Sequence, residues 1–81
     1  MDSIFEDIQL QKKYKHAFNF GIDGNYNLKN KQLFRQRLID HMKSVIPMDG
    51  TFHGDAVYHY LDNDTGLNVM INKNTKKFIS G

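Results

Sequence analysis

The apolar positions of this chain change period once, near its middle. Up to about residue 45 they recur at the three- and four-residue spacing of a helix. Ile4, Ile8, Gln11 and Phe18 fall on one side, with Phe5 and Tyr14 flanking them, which predicts a first helix ending between Phe18 and Gly21. Ser3 with Glu6 three residues later has the pattern of a capping box, two side chains that satisfy orphan helix amides reciprocally. Residues 21–30, GIDGNYNLKN, are rich in Gly and Asn and read as a loop. A second helix is expected from about Asn30 to Val45, with Phe34, Leu38, Met42 and Val45 as its apolar stripe. Pro47 and a turn at Met48-Asp49-Gly50 would end it.

Beyond that turn the period is two. AVYHYL (56–61), LNVMIN (67–72) and KKFIS (76–80) are β-rich, and Asn63–Gly66 and Lys73–Thr75 are short hairpin connections between them. Thr51–His53 adds a candidate edge strand. Leu67, Val69 and Ile71 alternate with Asn68, Met70 and Asn72, the pattern of a strand with one buried face. The expected fold is α+β: two N-terminal helices packed on a three- to four-stranded antiparallel β-meander. The helices should cover one sheet face and leave the other face, or its rim, for a ligand.

Length and composition narrow the function. With 81 residues the chain is a single domain, 1–81, with a modest core. A net charge of +2, from eleven Lys and Arg against nine Asp and Glu, is weaker than tight duplex binders need. The absence of cysteine excludes disulfides, thiolate metal sites and a cysteine nucleophile. No apolar run approaches the roughly 20 residues of a membrane span, and no signal-peptide pattern is visible. The histidines at 16, 41, 53 and 59 show no HxxxH, HExxH or EF-hand spacing, so no metal and no other cofactor is expected. Gly21-Ile22-Asp23-Gly24 opens no phosphate loop, and no nucleophile elbow is present.

The chemistry concentrates in KYKH, residues 13–16. On an ideal helix Lys13 and His16 share a face, whereas Lys15 lies well away from Lys13. Either the helix changes geometry here, or Lys15 reaches round from the flank. One reading is a solvated polar helix face, the usual meaning of a short charge run. The other is an anion site with a proton-transfer group. A histidine can exchange a proton near neutral pH, and adjacent ammonium groups can neutralise a phosphoryl group as its charge grows. RNA carries its own nucleophile, the 2′-hydroxyl, so an RNase needs only a base, an acid and cations around the phosphate.

Other candidates have equally plain alternatives. Arg35 and Arg37, with Lys29 and Lys31, form a basic segment that is either a solvated face or an RNA contact, and Lys12 adds to the cationic run. Tyr58 and Tyr60 share one strand face, opposite Val57, His59 and Leu61; if exposed they could stack bases, and otherwise they pack. His41 borders the stripe of the second helix and reads as a core-edge residue.

Taken together, KYKHAFNFGI, a following helix, and GTFHGDAVYHYLDNDTGLNVMINKNTKKFISG resemble the nuclease domains of the colicin D family and its relatives among contact-dependent inhibition toxins. The resemblance covers roughly Gln11 to Gly81, and its most specific part is K-Y-K-H-A followed by F-G-I. It implies a metal-independent anticodon-loop tRNase of small α+β fold, grouped with barnase, EndoU and RelE-type ribonucleases. It makes His16 the catalytic base or acid, Lys13 and Lys15 the phosphate-binding lysines, and Ser80 a hydrogen-bonding partner in the same centre. Cleavage would proceed by attack of the 2′-hydroxyl and leave a 2′,3′-cyclic phosphate. A cognate immunity protein, acidic and covering the site, is the expected partner. The domain would be the C-terminal piece of a larger toxin that is released by its producer and acts in the cytoplasm of a target bacterium. Two features depart from the family: its Ser-Gly pair continues into a tryptophan and a tail, and residues 22–30 and 52–56 differ in length and composition. The alternatives are a same-fold RNase acting on mRNA or bulk RNA, and a non-catalytic RNA-binding module using Tyr58, Tyr60, Arg35 and Arg37.

Overall fold

The computed structural model describes residues 4–80. Ser3 lies outside them, and with it the predicted capping box. Helix α1 runs Asp7–Lys13, with Glu6 as an N-cap that makes no side-chain cap bond. At Tyr14 the chain tightens into a 3-10 helix, Tyr14–Phe20, which Gly21 ends in the left-handed conformation (φ 83°). Helix α2 spans Leu28–Ser44 and so starts earlier than expected. The reason is local: Asn27 is the N-cap, and its Oδ1 accepts a 2.8 Å bond from the Asn30 amide.

Four strands follow, β1 Met48–Phe52, β2 Asp55–Leu61, β3 Asn68–Asn72 and β4 Phe78–Ser80, in the antiparallel order β1-β2-β3-β4. The fold is α+β, as the two periods predicted. Met48-Asp49-Gly50 is strand, not turn: these residues pair with His59, Tyr58 and Val57. Gly50 belongs there because a Cβ would overlap the imidazole of His59. The actual turn lies further on, at His53 (φ 52°) and Gly54 (φ 85°), the left-handed pair of a two-residue hairpin.

The helices cover one sheet face. Val69, Ile71 and Phe78 meet Leu10, Ala17, Phe20, Phe34 and Leu38 in one core. Here the predicted first stripe fails. Ile8 and Phe18 are 71% and 73% exposed, while Leu10 is fully buried. The α-helix stops at Lys13, and a 3-10 helix has three residues per turn. Tyr14, Ala17 and Phe20 therefore line up at spacing three and face the core, which turns Phe18 outward. His41 is buried beside Phe20, ring centroids 5.8 Å apart, and its Nε2 lies 2.6 Å from the Tyr60 carbonyl, tying α2 to β2.

Gly21 closes the 3-10 helix. Its amide donates to the Phe18 carbonyl at 3.0 Å, and the next amide, of Ile22, donates to the Ala17 carbonyl at 3.2 Å. A Cβ at Gly21 would lie 3.2 Å from a guanidinium nitrogen of Arg37, which itself donates to the Phe20 carbonyl. Gly21→Ala is therefore expected to cost about 1–2 kcal/mol, the left-handed penalty of a residue with a Cβ. Urea unfolding measures it, and no loss would contradict this cap geometry.

Candidate active site

The 3-10 geometry resolves the position of KYKH. Rather than loosening, the helix tightens at Tyr14, and residues three apart then eclipse one another. Lys13, where the α-helix hands over, and His16 share a stripe beside the buried Tyr14–Ala17–Phe20 stripe. Lys15 stands on the remaining stripe with Phe18. A seven-residue 3-10 run is unusually long. Its sequence explains it, since buried residues spaced at three favour that winding over 3.6.

His16 is partly buried and its pKa is lowered from 6.5, first by burial, then by the charge of Lys15, then by that of Lys13. Both ammonium groups thus act on the imidazole, and the neutral ring, the form that accepts a proton, dominates at neutral pH. Among the described residues no carboxylate pairs with Lys12, Lys13 or Lys15. Glu6 is held by Lys77 at 3.0 Å, Asp7 by Lys31 at 3.3 Å and Arg35 at 3.2 Å, and Asp49 by Lys73 at 2.8 Å. The ammonium groups around His16 therefore stand outside the described ion pairs. An NMR titration should give His16 a pKa below 6.5, and Lys15→Met should raise it, because one repulsive charge is gone while burial remains. An unchanged pKa in that variant would contradict the proximity of Lys15.

Ser80 ends β4, opposite Met70 across the ladder. Helix α1 is anchored at that end of the sheet: the Gln9 side-chain amide donates to the carbonyl of Ile79, the residue before Ser80. Gln9 lies one helical turn before Lys13. No sequence signal marks this anchor, since a glutamine on a polar helix face is ordinary.

The basic segment of α2 has other employment. Arg35 bonds Asp7 across the α1–α2 contact, and Arg37 donates to the Phe20 carbonyl at 3.2 Å. The tyrosine pair alternates as expected, but its face is the helix-covered one. Tyr58 and Tyr60 stand opposite Ile71 and Val69, and Tyr60 packs against the core. The Tyr58 ring is overlaid by Lys73 and Lys76, at 5.2 and 5.4 Å. Neither arginine and neither tyrosine forms an open stacking platform. On the other face His59 Nδ1 lies 3.0 Å from the Asn68 amide nitrogen. Among the described residues no three His, Asp or Glu side chains come together as a metal site, and no helix is long and apolar enough to cross a membrane.

A family profile for colicin D matches residues 9–81. Colicin-D of Escherichia coli is 34% identical over 79 residues, which is 95% of this chain and 11% of that protein; the chain thus spans only about a tenth of its relative's length. In three dimensions the chain matches a ribonuclease from Escherichia coli complexed with its inhibitor protein, with a TM-score of 0.73 and 35% identity, over 89% of this chain and 79% of that one.

Proposed function

The chain belongs to the colicin D family, and we propose that it is the ribonuclease domain of an antibacterial toxin, acting on tRNA in the anticodon loop. The observation that carries this reading is an imidazole, His16, whose pKa is lowered by burial and by two flanking lysines, those lysines having no carboxylate partner among the described residues. That arrangement suits one reaction in particular. His16 accepts the proton of a 2′-hydroxyl as its oxygen attacks the adjacent phosphorus. The bond to the 5′-oxygen breaks, that oxygen takes up a proton, and a 2′,3′-cyclic phosphate remains. Lys13 and Lys15 neutralise the non-bridging oxygens as charge builds, and Ser80 donates a hydrogen bond from the strand end to which α1 is anchored. No metal is required for any step.

The same lysines define the partner. An acidic immunity protein covering Lys12, Lys13 and Lys15 would block substrate and be steered to the site by charge. The domain is the C-terminal piece of a longer toxin, released by the producer and working in the cytoplasm of the target cell. A purely RNA-binding module is disfavoured, because Arg35, Arg37 and Tyr60 are engaged within the fold.

The test is incubation of the purified domain with bulk bacterial tRNA in EDTA. Discrete cuts in the anticodon loop of one or a few tRNAs are expected. Intact tRNA alongside degraded mRNA would replace this substrate with that of the same-fold alternative.

A further inference from the structure

Beside the lysine pair, the 3-10 helix and the loop that follows it enclose an open cleft of about 340 Å³, with Tyr14, Lys15, Phe18, Asp23, Asn25 and Tyr26 in its walls. This is the low end of small-ligand sites, with room for one nucleoside and little more. Its walls are held from behind. The Tyr14 hydroxyl donates to the carbonyls of Gly24 and Asn25 at 3.0 and 3.2 Å, and the Asn30 amide donates to those of Asp23 and Asn25 at 3.2 and 3.0 Å. Tyr26 meets Tyr14 edge-on, centroids 5.3 Å apart. The loop carbonyls are thus consumed inside, and side chains are left to face a ligand. Phe18 is 73% exposed and shares its stripe with Lys15, next to the stripe of His16. Asp23 is exposed as well.

We propose that this cleft is the subsite for a nucleobase next to the scissile phosphate. The base stacks against Phe18 and Tyr26, and Lys15 at the wall holds the phosphate. The Asp23 carboxylate favours a base whose pairing edge offers two adjacent N–H donors, as guanine does and uracil does not. The inference rests on the ribonuclease reading for its place in the reaction. A protein partner seated on Phe18 is the rival occupant. An aromatic, cation-flanked cleft of this volume fits a nucleotide better, since base–aromatic stacking with a backbone cation is how single strands are held.

The chain has no tryptophan, so Phe18→Trp creates a single fluorescent reporter at an exposed position. It is placed in a His16→Ala background and titrated with the 3′-monophosphates of guanosine, adenosine, cytidine and uridine. Saturable quenching is expected, tightest for guanosine, and Asp23→Asn should abolish that preference. In the active protein, Phe18→Ala should raise KM for RNA roughly 5- to 150-fold, the range of base–aromatic stacking, with kcat little changed. Phe18→Tyr should restore KM. Absence of saturable quenching by any nucleotide would overturn the proposal, as would an equal response to all four that Asp23→Asn leaves unchanged. So would quenching by an immunity protein alone. Binding is read without cleavage, so the two readings fail separately. Nucleotides that bind to a protein cleaving no RNA would remove the nuclease and leave the subsite; cleavage without nucleotide binding would do the reverse.

Discussion

His16→Ala is expected to lower kcat/KM for RNA cleavage by about 10²- to 10⁴-fold, the contribution of a positioned proton-transfer group. The loss should fall on kcat, since the lysines proposed to hold the phosphate, Lys13 and Lys15, are unchanged. Stability should change little, because His16 is only partly buried. The pH dependence gives a second signature. A base must be neutral to act, and the His16 pKa is lowered from 6.5. Activity should therefore persist as pH falls through 6.5 and decline only below it, at the lowered pKa. Lys15→Met should move that acid limb to higher pH. Steady-state kinetics across pH on the wild type and Lys15→Met read this directly, and an acid limb that does not move would separate Lys15 from the imidazole.

The largest effect on stability is expected from Phe34→Ala, a loss of about 3–5 kcal/mol. For a domain of this size the total is about 4–12 kcal/mol, so much of the margin goes. Phe34 is fully buried, and its ring lies 5.9 Å from Tyr14, 6.1 Å from Phe20 and 6.5 Å from Phe78. It therefore touches the first and last residues of the 3-10 helix and the last strand at once. No neighbour can collapse into the space without moving one of them. Cleavage should fall with stability, because the helix that carries His16 loses the surface it packs on. Urea unfolding and activity of the same variant check both parts; a cost under about 1 kcal/mol would show that Phe34 is not the centre of this core.

The sheet was legible in the sequence because its signals are local. Val69 and Ile71 alternate with polar residues, and the hairpins are set by side chains folding back on the turn. Asp62 Oδ1 accepts from the Asp64 amide, and Asn72 Oδ1 accepts from the amides of Asn74 and Thr75. Gly50 misled for a tertiary reason: Asp-Gly reads as a turn, but here the glycine makes room for the ring of His59 across the strands.

The helical half was harder. A single period of 3.6 puts Phe18 inside, but the second half of the segment winds at three and turns it outward; Ile8 and Leu10 both lie in α1 itself, whose buried side runs through Leu10 and not Ile8. The regular spacing of Tyr14, Ala17 and Phe20 was the available signal for the tighter winding, and it would also have turned Phe18 toward the solvent. The motif KYKH was visible as chemistry, but its geometry was not. Charge on α2 was likewise readable only as charge. That Arg35 meets Asp7 and Arg37 meets the Phe20 carbonyl follows from how α1 and the 3-10 helix cross α2, which no local pattern encodes.

If His16 drives attack by the substrate's own 2′-hydroxyl, the ends of the cleaved RNA carry its signature. Mass spectrometry of the RNA termini produced in EDTA, for the wild type and His16→Ala side by side, tests it most directly. The expected result is 2′,3′-cyclic phosphate and 5′-hydroxyl ends from the wild type and essentially no new ends from the variant. Ends bearing 3′-hydroxyl and 5′-phosphate, or cyclic phosphate formed equally well without His16, would contradict it.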